Sequence, residues 1–472
     1  MAAGGPGLSG VTAAAGDTGS PAPATAAGRT PMNAEQRLLA AGMVLAVMLV
    51  AFEVTAVITA LPTITDQLGG DSLYGVSLSV YTLANMVALV AAGELADRRG
   101  PAMPFALSIL MLVAGLIVAA FAPSMVWIVI GRGLQGLGTG AFSPIGYALV
   151  TRAFPTDRQP MLYAYLSAGW VLPSLFAPAL SGWITDVFGW EWVFLALVPA
   201  ALAVGVLAVR PMLQYPPVAL ERRRTRIPSA FAAAAGVGAI VTGLQYRQPW
   251  AMAVSVVVGA AVAAPALRHL FPRGVLTASV GFPAIITCRL IATATFLGVD
   301  SFVPLAADRI HGARPVVQGF VIIGAALLWT VGQWIRAKRP PVAPSRAIRQ
   351  GFLVMLLGIG LTAPVLWAAW PLWATFLGWA VGGLGMGLLY NPATVSAMSY
   401  AEEGREGEIS SQVALADSLG FSLMGGIGGA TVALADRTSW SLTGAVGTNF
   451  LMAAVLAALG VFAARHIRPR PR

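Results

Sequence analysis

A chain of 472 residues that is 57% hydrophobic and 10% charged, with a mean hydropathy of +0.77, has too little polar surface to coat a water-soluble body of that size. A net charge of +10 raises nucleic acid as a partner, but the basic residues fall between apolar runs and are not interleaved with stacking aromatics, so no nucleic-acid role is expected. The single cysteine, Cys288, excludes an internal disulfide and a cysteine metal site, and His269, His311 and His466 are too scattered to form a metal constellation.

Residues 1–33 are mainly Gly, Ala, Ser, Thr and Pro without an apolar block, so the segment up to residue 37 reads as a disordered tail and not as a signal peptide. Fourteen apolar runs follow, at 38–61, 74–95, 103–122, 126–151, 161–184, 191–209, 229–245, 250–267, 279–305, 315–335, 350–368, 371–399, 409–434 and 445–464. Backbone groups in lipid must be satisfied internally, and these runs are too long and continuous for barrel strands, so the fold class is an all-α polytopic membrane protein. With the N-terminus in the cytoplasm, 23 of the 29 basic residues fall on the cytoplasmic side and Arg247, Arg309, Arg314 and Arg437 on the other, a bias that places both termini inside. The seventh and eighth runs, short and joined by Tyr246–Pro249, are either two spans or one re-entrant pair.

The first run, through AVMLVAFEVTAVITALP (Ala46–Pro62), carries one carboxylate, Glu53, near its middle. Inserting an ionisable group at that depth costs roughly 3 kcal/mol or more, which makes Glu53 a candidate proton carrier; a carboxyl that stays protonated against a neighbouring helix is the alternative. In GELADRRG (Gly93–Gly100) the glycine allows close helix approach, Asp97 can cap or bridge a neighbouring helix end, and the arginines hold the cytoplasmic face, although such loops also serve as simple positive-inside anchors. In GRGLQGLGTG, Arg132, Gln135 and Gly136 share a helix face, with Gly136 and Gly140 forming a small-residue stripe. Arg132 and Glu53 lie roughly 9 and 12 Å from the outer ends of their runs, a matching depth for an ion pair, either proton-coupling or purely structural. Trp190 and Trp192 suit the interfacial belt. In the second half Arg289 and Asp417 lie roughly 12 to 15 Å deep and can pair, while Asp300, five residues from its outer end, either faces a water-filled vestibule or joins the coupling machinery. No Gly-x4-Gly-Lys-Ser/Thr loop is present, so no nucleotide or other cofactor is expected and an ion gradient is the available energy source.

GELADRRG resembles the loop signature of the major facilitator superfamily, with Gly93, Leu95, Asp97, Arg98 and Gly100 in place and Pro101 and Ala102 where further basic residues are usual. FEVTAVITALP resembles the first span of the fourteen-span drug:proton antiporter branch through Thr55, Val57, Ala60, Leu61 and Pro62, with Glu53 in place of an aspartate and Ile58 in place of an asparagine. Arg132 is similar to the family's fourth-span arginine, which is tied to proton coupling in antiporters. PSLFAPALSGW (Pro173–Trp183) resembles a degenerate antiporter motif that keeps Pro178 and Gly182 but has Ala177 and Ser181 for glycines. GWEWVFLALVP (Gly189–Pro199) resembles the entry of the sixth span, and GGLGMGLLYNP (Gly382–Pro392) the glycine-rich tenth helix of the core.

The resemblance covers residues 38–464 and implies a major facilitator fold of fourteen transmembrane helices. Two six-helix bundles, 38–209 and 275–464, flank a basic linker (210–274) with two additional helices, and a basic cytoplasmic tail closes the chain at 465–472. It implies no enzyme but a monomeric, proton-coupled exporter of amphipathic or cationic small molecules such as drugs, in the bacterial cytoplasmic (inner) membrane, working by alternating access. The implied proton-coupling residues are Glu53, Arg132, Asp417, Arg289 and Asp300; the substrate-binding residues are Glu53, Thr55, Gln135, Trp170 and Asn391. Gating falls to Gly93, Asp97, Arg98 and Gly100, a latch for the outward-facing state, and to Pro178 and Gly182. Rival readings are an exporter or flippase of a lipid or endogenous metabolite, and a non-transporting sensor or assembly factor on the same fold.

Overall fold

The computed structural model describes Met1 and residues 31–69, 73–217, 225–313, 315–338 and 342–468; the tail as far as residue 30, Arg222 to Arg224 of the basic linker, Arg314, Arg339, Arg470 and Arg472 lie outside the described residues. The chain folds into eighteen α-helices among those residues: α1 (Ala34–Leu68), α2 (Tyr74–Arg99), α3 (Ala102–Ala120), α4 (Met125–Thr139), α5 (Phe142–Ala153), α6 (Gln159–Ala168), α7 (Val171–Phe188), α8 (Glu191–Leu195), α9 (Leu197–Met212), α10 (Ile227–Gly243), α11 (Pro249–Leu270), α12 (Phe282–Asp300), α13 (Val303–His311), α14 (Pro315–Lys338), α15 (Pro344–Thr362), α16 (Leu372–Met398), α17 (Glu406–Arg437) and α18 (Leu442–Ala463).

Each apolar run is one helix or two consecutive ones, and the breaks have a common cause. The helices part at Gly140–Ala141, Gly169–Trp170, Ala196 and Ser301–Phe302, two to four residues before Pro144, Pro173, Pro199 and Pro304 respectively. A proline ring cannot donate to the carbonyl one turn back and crowds it, so the ladder opens there. Among the described residues, eleven helices or joined helix pairs are long and apolar enough to cross a membrane. Helix α10, with 17 residues, is about 25 Å long by its rise, shorter than a bilayer core. It pairs with α11 at a glycine contact, where a Cβ on Gly236 would lie 2.6 Å from the Gly259 carbonyl oxygen.

Three apolar cores organise the bundle. One gathers α1 and α3–α9 with the end of α2, including Leu61, Leu112, Phe142, Phe194 and Ala201; a second gathers α12–α16 and α18 with part of α17, including Ile285, Phe352, Trp379 and Val446. The third, smaller, joins α2, α10, α11 and α17 through Val87, Val237, Ala263 and Leu419. Helix α1 begins with a capping box, Asn33 accepting from the Gln36 backbone N–H at 2.7 Å and the Gln36 side chain accepting from Asn33 N–H at 3.1 Å. The same Gln36 amide donates to the Ala153 carbonyl at the end of α5, so the start of α1 and the end of α5 share one face.

Two expectations change. Trp190 is buried at 3% exposure, its indole N–H donating to Gln67 Oε1 at 2.9 Å, so only Trp192 has the open setting of a belt residue. On α7, Pro178 is exposed and a Cβ on Gly182 would meet nothing within 4 Å. Helix α7 meets α1 through the two residues that replace glycines: Ala177 is fully buried, and Ser181 donates to the Ala56 carbonyl at 2.7 Å.

Candidate functional site: two buried acid–arginine centres around a cavity

Glu53 on α1, Arg132 and Gln135 on α4 and Tyr81 on α2 meet in the first half, with Glu53 and Gln135 fully buried and Arg132 exposed by 1%. Arg132 Nη1 pairs with Glu53 Oε1 and donates to Gln135 Oε1 at 2.8 Å, while its Cζ lies 4.0 Å above the Tyr81 ring. Close approach of α2 and α4 is possible because of the small-residue stripe. A Cβ on Gly136 would lie 2.3 Å from the Tyr81 carbonyl oxygen, and one on Gly140 2.6 Å from Ala88 Cβ.

A line of neutral polar groups leads out of this centre. The Tyr81 ring lies under Arg132 beside Glu53, whose second carboxylate oxygen has no hydrogen-bond partner among the described residues; Thr139 donates to the Tyr81 hydroxyl at 2.9 Å, and Asn85 donates to Thr139 at 3.1 Å. Asn85 lines a cavity of about 400 Å³ between the halves. Sequence reasoning missed Tyr81, Thr139 and Asn85, since an uncharged polar residue on an apolar helix carries no depth signal. Their spacing along α2 and α4 was the one available cue.

The cavity is walled by Phe142 and Tyr147 of α5, Ser167 of α6, Trp170, Phe296 and Asp300 of α12, Trp329 of α14, Tyr390 of α16 and Asp417 of α17. Its second-half wall holds the other charged centre. Arg289, fully buried, donates from Nε to Asp417 Oδ1 at 3.0 Å, makes a second bond from Nη2 to Oδ2, and donates from Nη1 to Thr394 at 2.7 Å. Its Cζ lies 3.5 Å over the Tyr390 ring, and Tyr390 donates to Asp417 Oδ2 at 3.0 Å. Asp300 accepts from the Trp379 indole at 2.7 Å and enters no ion pair among the described residues. An aromatic chain, Trp379–Phe296–Trp329–Tyr390, joins the two aspartates with successive ring centroids 5.0, 5.1 and 5.2 Å apart.

Of the residues expected to touch substrate, Trp170 lines the cavity; Glu53, Thr55, Gln135 and Asn391 do not. Thr55 spends its hydroxyl on the Ala51 carbonyl of its own helix at 2.8 Å. Gln135 is Arg132's partner, and Asn391 donates to the Pro160 carbonyl at 2.7 Å, tying α16 to the start of α6.

At the end of the bundle where α2 finishes, Asp97 accepts from the backbone N–H groups of Gly407 and Glu408 at 2.7 and 2.8 Å, capping α17 across the seam between halves. Arg98 pairs back with Glu94 at 2.8 Å, and Gly100 turns the chain at φ 79°, a left-handed setting that favours glycine. Burial pushes the Arg226 guanidinium below its ordinary value, opposed by the nearby charges of Glu408 and Glu94. No cluster of three or more His, Cys, Asp or Glu able to hold a metal ion occurs among the described residues.

An uncharacterised MFS-type transporter of Mycobacterium tuberculosis is 29% identical over 352 residues, covering 70% of this chain and 51% of that protein, so the chain spans about half the length of that relative. A probable multidrug-efflux transporter of the same organism is 27% identical over 449 residues, covering 88% of this chain and 91% of that protein. The solved structure of the human organic anion transporter MFSD10 shares the fold, with a TM-score of 0.70 at 12% identity, covering 92% of this chain and 100% of that one. The family model of the Major Facilitator Superfamily matches residues 43–340, well over half of the sequence. An all-helical, multi-pass membrane chain with this match belongs to the Major Facilitator Superfamily.

Proposed function

We propose that the chain is a monomeric secondary exporter that moves amphipathic, often cationic, small molecules out of a bacterium across its cytoplasmic membrane in exchange for protons. The observation that carries this reading is the Glu53 centre: one carboxylate at midspan, fully buried, offset by Arg132, with the Tyr81–Thr139–Asn85 hydrogen-bond line running from beside it to the cavity. A proton added to Glu53 cancels its attraction for Arg132 and leaves the guanidinium held by Gln135 and the Tyr81 ring alone. The new balance of forces between α1, α2 and α4 is what lets protonation bias the rocking of the halves. Because Glu53 does not line the cavity, substrate and proton compete through the shared hydrogen-bond line and not for one oxygen.

Support for the substrate class comes from the wall itself. Asp300 and Asp417 supply negative charge, and Trp170, Trp329 and Tyr390 supply aromatic faces that attract lipophilic cations. The relative named for multidrug efflux agrees with it. The face that holds Asp97 is assigned to the cytoplasm, together with both termini, by the excess of arginine there. The test is proton release from purified protein in weakly buffered detergent on adding a cationic dye: release from the wild type and none from Glu53→Gln supports the exchange, and equal release from both contradicts it.

A second reading has one specific observation behind it. A cleft of about 560 Å³ opens between α1, α7 and α9, lined only by apolar side chains such as Leu45, Phe52, Phe176, Leu180 and Val204, and it suits an acyl tail. Export of a lipid or lipid-like metabolite would use that entry; loss of transport in Phe176→Glu with retained dye binding favours it over the first reading.

A further inference from the structure

Helices α10 and α11 sit against the seam where α2 of one half meets α17 of the other. The two seam helices touch backbone to backbone: a Cβ on Gly93 would lie 2.3 Å from the Gly407 carbonyl oxygen, and one on Gly407 2.2 Å from that of Gly93. Arg226, the residue before α10, stands at the same crossing. Its backbone N–H donates to Glu94 Oε2 on α2 at 2.8 Å, and its Nη1 lies 3.6 Å from Glu408 Oε1 on α17. Its Nη2 donates to the Leu270 carbonyl that ends α11, and Gln412 of α17 donates to the same carbonyl at 3.0 Å. Deeper in the bundle α10 keeps touching both sides, with Gly238 facing Leu83 of α2 and Val241 facing Gly426 of α17.

We propose that the added helix pair is a working part of the latch between the halves, and that Arg226 is a positioning residue that holds Glu408, and with it the first turn of α17, where Asp97 can cap it. Asp97 needs the N–H groups of Gly407 and Glu408 pressed against the end of α2. That geometry brings the Glu408 carboxylate close to Asp97, and like charges oppose it. Arg405 offsets Glu408 from its own helix start, at 2.7 Å, but moves with α17 and cannot tie it to the other half. Arg226 can, because its backbone is anchored to Glu94 on α2 while its side chain reaches Glu408. Arg98 completes the local charges by holding the other oxygen of Glu94. The halves therefore separate at this face only when the Asp97 cap and the Arg226–Glu408 contact break together. The inference rests on the alternating-access reading, in which this face opens once per cycle, but not on proton coupling or on any substrate.

The experiment is a pulsed electron–electron distance measurement on the full chain in lipid nanodiscs, with nitroxides at Met103→Cys on α3 and Glu403→Cys before α17. Cys288 is fully buried, which keeps it out of reach of the label. In the parent protein the short-distance population is expected to dominate. Arg226→Ala is expected to shift the closed-to-open ratio about two- to fivefold toward the long distance, the effect of losing a partly exposed ion pair, and Arg226→Lys much less. Pairing Arg226→Glu with Glu408→Arg is expected to restore the short distance. Where Arg226→Ala folds poorly, Arg226→Gln keeps much of the side chain while removing its charge and must open the face to a similar extent. Distributions unchanged by Arg226→Ala or Arg226→Gln, or a charge swap as open as the single variants, would overturn the proposal. These distances are measured without transport, so they decide the role of Arg226 even where proton exchange at Glu53 fails its own test.

Discussion

Arg132 and Arg289 occupy matching settings in the two halves: each is buried, each lies over a tyrosine ring, Tyr81 at 4.0 Å and Tyr390 at 3.5 Å, and each holds a carboxylate from another helix. The match ends at the carboxylates. Glu53 is sealed from the cavity, whereas Asp417 is 19% exposed and forms part of its wall. Under the proposed exchange, the first centre would hold a proton apart from substrate and the second would meet substrate directly.

Removing Arg132 strands a buried charge. Arg132→Ala is expected to cost about 3 to 5 kcal/mol of stability, read as a lowered unfolding temperature in detergent. Arg132→Lys should recover little, because an ammonium cannot stack on Tyr81 and reach both Glu53 and Gln135 as the planar guanidinium does. Adding Glu53→Gln to Arg132→Gln should restore much of the loss, since no charge is then left unpaired.

Tyr81→Phe separates packing from relay. The ring under Arg132 stays, so stability should change by less than about 1.5 kcal/mol, but the hydroxyl that accepts from Thr139 beside Glu53 is gone. Proton-driven dye efflux in this variant should slow by an order of magnitude or more while dye binding is unchanged. Tyr81→Leu should add a further loss of about 0.5 to 2 kcal/mol as the cation–π contact disappears.

Gly407→Ala should hold the latch open. Its new methyl would stand 2.2 Å from the Gly93 carbonyl oxygen and 2.6 Å from Asp97 Oδ1, a backbone clash that no rotamer relieves. The expected outcome is faster thiol labelling of cysteines placed along the seam at this face, and efflux reduced to near background.

Asp417→Asn leaves Arg289 without its carboxylate at the cavity wall. A cationic dye should then bind at least about tenfold more weakly, from the Coulomb energy of one charge close by in a partly shielded site, while a neutral analogue of the same shape keeps its affinity. Equilibrium binding of the two dyes checks this.

What could be read from the chain was whatever stands out against an apolar background. Glu53 and Arg132 are isolated charges of opposite sign at matching depth, and Asp97 follows a glycine that lets a second helix come close enough to be capped. Neutral polar groups were silent: Asn85, Thr139 and Tyr81 lie in runs whose hydropathy they barely alter, and only the packing of α2 on α4 lines them up. The prolines at 144, 173, 199 and 304 marked the helix breaks, yet continuous hydropathy across them read as single spans. Trp190 shows the limit of composition rules, since a belt residue becomes a core residue once Gln67 offers its indole a partner. The role of Arg226 was hidden for the same reason, because a basic linker residue looks like an anchor until α2 and α17 are seen on either side of it.

The central claim is that Glu53 changes its proton occupancy during transport. Its most direct test is efflux of a cationic dye from proteoliposomes driven by a pH gradient of either sign, comparing wild type with Glu53→Gln. Gradient-driven efflux in the wild type, with only gradient-independent equilibration in the variant, is the predicted result; a variant that still concentrates dye against its gradient at the wild-type rate would contradict it.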